Sequence, residues 1–135
     1  MKNLPVIIII SALLMSISCK EKESERFRLL TTPVWQTDSL IANGIDASGP
    51  GGFLEKFKGE AKFREDGTGY FGKFTGTWSF NIDETKLTIT TDSLPLPITC
   101  DILELTSLSL KIKTAVINPA NISELINIRM TFKAK

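Results

Sequence analysis

Apolar residues recur at every second position through much of the chain. Phe74, Gly76, Trp78, Phe80 and Ile82 share one parity, and Thr75, Thr77, Ser79 and Asn81 share the other. Leu87, Ile89 and Thr91 alternate with Thr88 and Thr90. Leu108, Leu110 and Ile112 alternate with Ser109, Lys111 and Lys113. Ile128, Met130 and Phe132 alternate with Arg129, Thr131 and Lys133, and a shorter run pairs Ala61 and Phe63 with Lys62 and Arg64. A period of two, rich in aromatic and β-branched residues, predicts half-buried strands. No segment carries a sustained helical stripe.

Turn signals fall between these runs. Glu65-Asp66-Gly67-Thr68 predicts a hairpin, because Gly67 can take positive φ. Asn81 to Thr85 predicts a second and Thr106-Ser107 a third. Pro95 and Pro97 predict an extended connector, since proline cannot serve in a central strand. Asn43 to Gly52, with four glycines and Pro50, predicts a long loop. Asn118 to Asn121 predicts another, followed at Ile122 to Ile126 by either a helical turn or a strand. The sum is an all-β domain of about seven or eight short antiparallel strands. Such a set hides its edges by closing into a small up-and-down barrel over residues 28–135.

The beginning of the chain breaks the pattern. Met1-Lys2-Asn3-Leu4-Pro5 precedes an apolar run from Val6 to Met15, then Ser16-Ile17-Ser18. A positive start, a short apolar stretch and small residues before a cut site predict a signal peptide over residues 1–18. The run is shorter than the roughly twenty residues a bilayer span needs; an uncleaved anchor helix is the other reading. Lys20 to Arg26 is polar and aperiodic, which predicts a flexible tether over residues 19–27.

Composition narrows the chemistry. Of sixteen basic residues Lys2 lies in the leader, leaving fifteen against fifteen acidic ones. A balanced surface does not select phosphate, so no nucleic-acid partner is expected. The chain has no histidine, which removes the commonest general base and metal ligand. No metal site, cofactor or enzymatic activity is expected. The carboxylate neighbours Glu65-Asp66 and Asp83-Glu84 fall in turns, where aspartate bonds the local backbone. The two cysteines are Cys19 and Cys100. A disulfide between them is one reading; the other has Cys19 consumed by lipidation and Cys100 buried as a small hydrophobe.

Three resemblances follow from these residues. Met15-Ser16-Ile17-Ser18-Cys19 resembles the lipobox of bacterial lipoproteins, with Ser16 where a leucine is usual. It implies cleavage before Cys19, acylation of that residue, and a membrane partner reached through lipid. The charged residues after Cys19 also resemble surface-export signals of some Gram-negative lipoproteins. The implied address is the cell envelope: an outer membrane, with the cell surface as one face. Trp35, the hairpin Lys62 to Gly69, Gly76-Thr77-Trp78-Ser79-Phe80, Lys86-Leu87-Thr88-Ile89, Leu105 through Lys111 and Met130-Thr131-Phe132-Lys133 together resemble the lipocalin-like domains of bacterial lipoproteins. That resemblance covers nearly all of the chain after the tether and implies a calycin-type barrel.

Two roles suit such a barrel. In the first it holds a small hydrophobic ligand, and Trp35, Phe63, Tyr70, Trp78, Phe80, Leu110, Ile112 and Phe132 line the site. The same residues would form the core of a filled barrel. In the second role the barrel is solid and meets an envelope protein through loops such as Asn43 to Gly59, where Phe53, Leu54 and Phe57 would form a lid or a docking patch. The volume left inside the barrel decides between them.

Overall fold

The computed structural model describes residues 23–92, 94 and 96–135. The proposed leader, Cys19 and the first part of the proposed tether lie outside the described residues, as do Ser93 and Pro95 of the proline connector. A short helix, α1 (Glu25–Thr31), precedes nine strands: β1 (Trp35–Ala42), β2 (Ile45–Asp46), β3 (Glu60–Phe63), β4 (Thr68–Phe71), β5 (Phe74–Phe80), β6 (Lys86–Thr91), β7 (Ile98–Leu105), β8 (Ser109–Asn118) and β9 (Asn121–Ala134).

Every pairing is antiparallel. β1 pairs with β3, each strand from β3 to β9 with its successor, and β9 returns to β1, so eight strands close a barrel. β2 is a two-residue spur on β1. Closure gives the central strands two partners each, which removes the edges an open sheet would expose. The all-β, up-and-down, calycin-type expectation is therefore met.

The expected turns are present, and each has a local cause. Asp66 Oδ1 accepts from the Thr68 amide at 3.0 Å and its hydroxyl at 2.7 Å, and Gly67 has φ of 87°. Asp83 Oδ1 takes the Thr85 hydroxyl at 2.7 Å in the β5–β6 hairpin. Those bonds hold both aspartates below the usual carboxylate range, with the side-chain hydrogen bond the largest cause in each.

Three expectations change and one open alternative is decided. α1 was not foreseen, and its first residues take up the end of the segment read as tether. Ser24 caps it, accepting from the Phe27 amide at 3.0 Å, and Leu30 and Thr31 are buried. Seven residues are too few to show a stripe in sequence. Of the two readings of Ile122 to Ile126, the strand is the one found, as part of β9. Ile82 shares the parity of Trp78 but sits in the hairpin, fully exposed. Leu108 likewise falls in the β7–β8 turn and is exposed, although Leu110 and Ile112 two and four residues on are in the core.

Candidate functional site

The two ends of the barrel are closed differently. At one end lie the β3–β4, β5–β6 and β7–β8 turns and α1. The Ser24 hydroxyl donates to Glu84 Oε2 at 2.6 Å and Arg26 Nε donates to the Glu84 carbonyl at 2.9 Å, which ties the helix to the β5–β6 hairpin. Trp35 Nε1 donates to the Leu30 carbonyl at 3.0 Å. Lys62 Nζ donates to the carbonyls of Thr31, Thr32 and Pro33 at 2.6 to 3.1 Å, so the unpaired carbonyls beyond the helix meet a cation. The Phe27 ring lies 5.7 Å from that of Trp78. This end is stoppered.

At the other end, the segment from Asn43 to Gly59 covers the opening. Leu54, 1 % exposed, is part of the hydrophobic core, and Phe57 packs against Phe74 at 4.7 Å between ring centroids. Phe53 points outward and is about half exposed. The loop is fastened by the Gly59 amide donating to Thr37 Oγ1 at 2.9 Å and the Lys73 amide to the Lys56 carbonyl at 2.9 Å. Of the three residues expected as lid or docking patch, Leu54 and Phe57 act as a lid and Phe53 alone faces solvent.

Between the ends the interior is occupied by side chains. Trp35, Leu87, Cys100 and Leu110 have no exposed surface, and Phe63 and Ile112 have 1 %. A side chain bordering a void large enough for water keeps accessible surface there, so the four wholly buried residues border none. Trp78 and Phe132 are also buried. Phe80 is half-buried at the helix-capped end, edge-on to Trp78 at 5.4 Å. Phe63 stands edge-on to Trp78 at 5.7 Å, and Trp78 Nε1 donates to the Arg64 carbonyl at 2.9 Å. These aromatic contacts are of the geometry that adds to area burial. Seven of the eight expected lining residues thus meet on the inner face as core. Tyr70 does not: Gly69 and Phe71 face inward, and Tyr70 stands outside, under the Arg64 guanidinium at 5.5 Å and near Glu60 Oε2 at 3.5 Å. Its register partner is Lys62, whose side chain also lies outside the barrel. The alternation within β4 carried the signal that Tyr70 opposes Phe71.

Two buried polar groups remain inside. The Cys100 thiol is pushed up to about 12, chiefly by burial. Thr91 follows Leu87 and Ile89 on the inner face of β6, and its hydroxyl has no hydrogen-bond partner among the described residues. Two clefts among the described residues lie outside the core. One, of about 350 Å³, runs beside α1 between Phe27, Asp66 and Phe80; the other, of about 670 Å³, lies on the outer wall between Asp38, Leu108, Lys111 and Lys133. No group of three or more His, Cys, Asp or Glu residues gathers among the described residues. The interior can therefore offer apolar contact and, once opened, one hydroxyl.

A closed eight-stranded antiparallel barrel with one short helix defines the lipocalin type of fold. Solved structures agree. Bovine odorant binding protein in complex with a selenium-containing odorant matches with a TM-score of 0.54 at 12% identity, over 86% of this chain and 76% of that one. The same bovine protein in complex with undecanal matches with a TM-score of 0.53 at 15% identity, over 86% and 77%. No protein-family profile and no curated protein matches the sequence.

Proposed function

We propose that this chain is a lipid-anchored envelope protein whose barrel is a solid scaffold for contacts made at its surface. The observation that carries this reading is the packed interior: Trp35, Leu87, Cys100 and Leu110 are wholly buried, and Leu54 closes the loop-bearing end. The anchor rests on Cys19 at the end of a signal-like leader, and the outer membrane of a Gram-negative bacterium is the proposed address. The polar run after Cys19 supports a spacer between lipid and barrel. Replacement of Cys19 by serine is expected to release the protein from the membrane fraction. Persistence there at the mature mass would remove the anchor from the proposal.

A second reading is favoured by two features of the loop end. Leu54 belongs to a loop rather than to a strand, so it can leave without breaking the sheet. The Thr91 hydroxyl is buried and has no partner among the described residues, a state that costs about 1–3 kcal/mol and that a polar ligand atom would relieve. In this reading a small hydrophobic molecule replaces Leu54, as ligands occupy the odorant binding proteins of the same fold. Titration with N-phenyl-1-naphthylamine separates the two. The scaffold reading expects no stoichiometric binding, and saturable binding reversed by fatty acid or aldehyde would replace it with the ligand reading.

A further inference from the structure

The β8–β9 hairpin is the longest pair in the barrel and carries three exposed aliphatic side chains. β9 pairs with β1 only from Ile128 onward and with β8 from Asn121, so its first residues extend past the body of the barrel. On this projection Ile117 is 56% exposed, Ile122 83% and Leu125 60%. Ile117 and Leu125 are direct cross-strand partners on the outer face, opposite to buried Ile126.

Along that same outer face, Ala115 pairs with Asn127, and then Lys113 with Arg129. Two cations directly opposite each other on a sheet destabilise it. Neither of them is in a salt bridge among the described residues, whereas Lys111 meets Glu104 at 3.5 Å and Lys133 meets Asp38 at 3.3 Å. Asp101, across from Lys113 on β7, is bound to Lys86 Nζ at 2.5 Å. Glu124 is the one acid at the tip, and strand alternation turns it, with Ile122, away from the outer face that Ile117 and Leu125 share.

An apolar tip with an unpaired cationic rung behind it matches an anionic bilayer. Lys113 and Arg129 share the outer face with Ile117 and Leu125, so a barrel resting on that face brings both kinds of side chain to the bilayer together. Aliphatic side chains entering the headgroup–acyl boundary by about 5–10 Å leave long basic side chains at the level of the phosphates. A second copy of the chain fits less well, because two aliphatic side chains fall well short of the roughly 800 Å² per partner that a stable protein interface buries. We propose that the outer face of the β8–β9 hairpin is a membrane-contact element, in which Ile117 and Leu125 enter an anionic bilayer and Lys113 and Arg129 bind its phosphates.

The inference is independent of the lipid on Cys19. Were Cys19 anchored, the five residues to Ser24 would span at most about 17 Å, less than the roughly 30 Å of β8, so the barrel would lie on its β8–β9 side rather than stand on the hairpin tip.

The test uses the unlipidated chain from Lys20 to Lys135, because the helix and the closed barrel are complete within residues 23–135. Its sedimentation is followed with millimolar phosphatidylcholine vesicles, with and without half phosphatidylglycerol, at low salt. Binding to the anionic vesicles is expected, with K113Q and R129Q each weakening it about fivefold. The double variant Ile117→Ser/Leu125→Ser is expected to weaken it severalfold as well. All four positions are on the surface, and an unchanged urea midpoint confirms that the variants fold. No binding by the parent chain overturns the proposal. So does binding that the variants leave unchanged, the result expected if the hairpin docks a protein instead. Loss in the glutamine variants alone overturns the insertion of the aliphatic tip.

Discussion

Trp35 and Leu30 are joined by the Trp35 indole N–H donating to the Leu30 carbonyl at 3.0 Å, and both side chains are fully buried. The bond fastens α1 to the first strand of the barrel. Trp35→Phe keeps most of the apolar volume but strands a carbonyl where water does not reach it. A loss of about 1–3 kcal/mol in unfolding free energy is expected, measured by urea denaturation. Trp35→Ala is expected to lose about 3–5 kcal/mol, since it adds a cavity to the orphaned acceptor.

Gly76 tests the strand pairing directly. A Cβ there would overlap the Thr90 carbonyl oxygen, which belongs to the backbone of the neighbouring strand and has no flexible end to move aside. Gly76→Ala is expected to cost stability at the upper end of the ~1–3 kcal/mol typical of overpacking. Gly44→Ala, where nothing lies within 4 Å of the added carbon, is the comparison. It faces only the strain of a positive φ of 79°, and the same denaturation series should show the smaller loss.

The barrel was legible because its signals are local. Alternation placed Phe63, Trp78, Leu110, Ile112 and Phe132 on inner faces, and Asp66-Gly67 marked a turn that the structure contains. Errors arose where alternation ran on into a turn, at Ile82 and Leu108, or where an aromatic was taken as inward by its type, at Tyr70. Tyr70 stands beside Phe71, and adjacent residues cannot share a face of a strand. The helix was missed because Phe27, Leu30 and Thr31 make only one turn of periodicity, although Ser24 before Glu25 is an N-cap pattern. Whether the barrel is hollow was not readable at all. That depends on how residues from β1, β3, β5, β8 and the 43–59 loop meet across the interior, and no single segment records it.

Leu54 is the residue on which the state of the loop-bearing end depends. Leu54→Ala removes a side chain from the core and is expected to destabilise the fold by about 2–5 kcal/mol. It also leaves an apolar space under the loop. In the scaffold reading that space is filled by relaxation of the loop and N-phenyl-1-naphthylamine still fails to bind stoichiometrically. If the variant gains saturable binding that the parent chain lacks, the interior is one side chain away from being a site.

Cys100 reports on the packing of the interior without altering it. Burial pushes its thiol from 9.0 up to about 12, so at pH 8 the folded protein holds almost no thiolate there. Iodoacetamide at pH 8 is therefore expected to leave Cys100 unlabelled in the folded protein and to label it in urea. The same shift fixes a sign for stability. Below pH 9 both folded and unfolded thiols are protonated and the burial contributes no pH dependence. Above it the unfolded chain loses the proton first, so stability falls as pH rises from 9 towards about 12. Cys100→Ala lacks this component, and its urea midpoint is expected to decline less between pH 8 and pH 10 than that of the parent. Labelling of the folded protein at the rate of a free thiol would show that reagent reaches the barrel interior, and the packed scaffold would then give way to a barrel that opens.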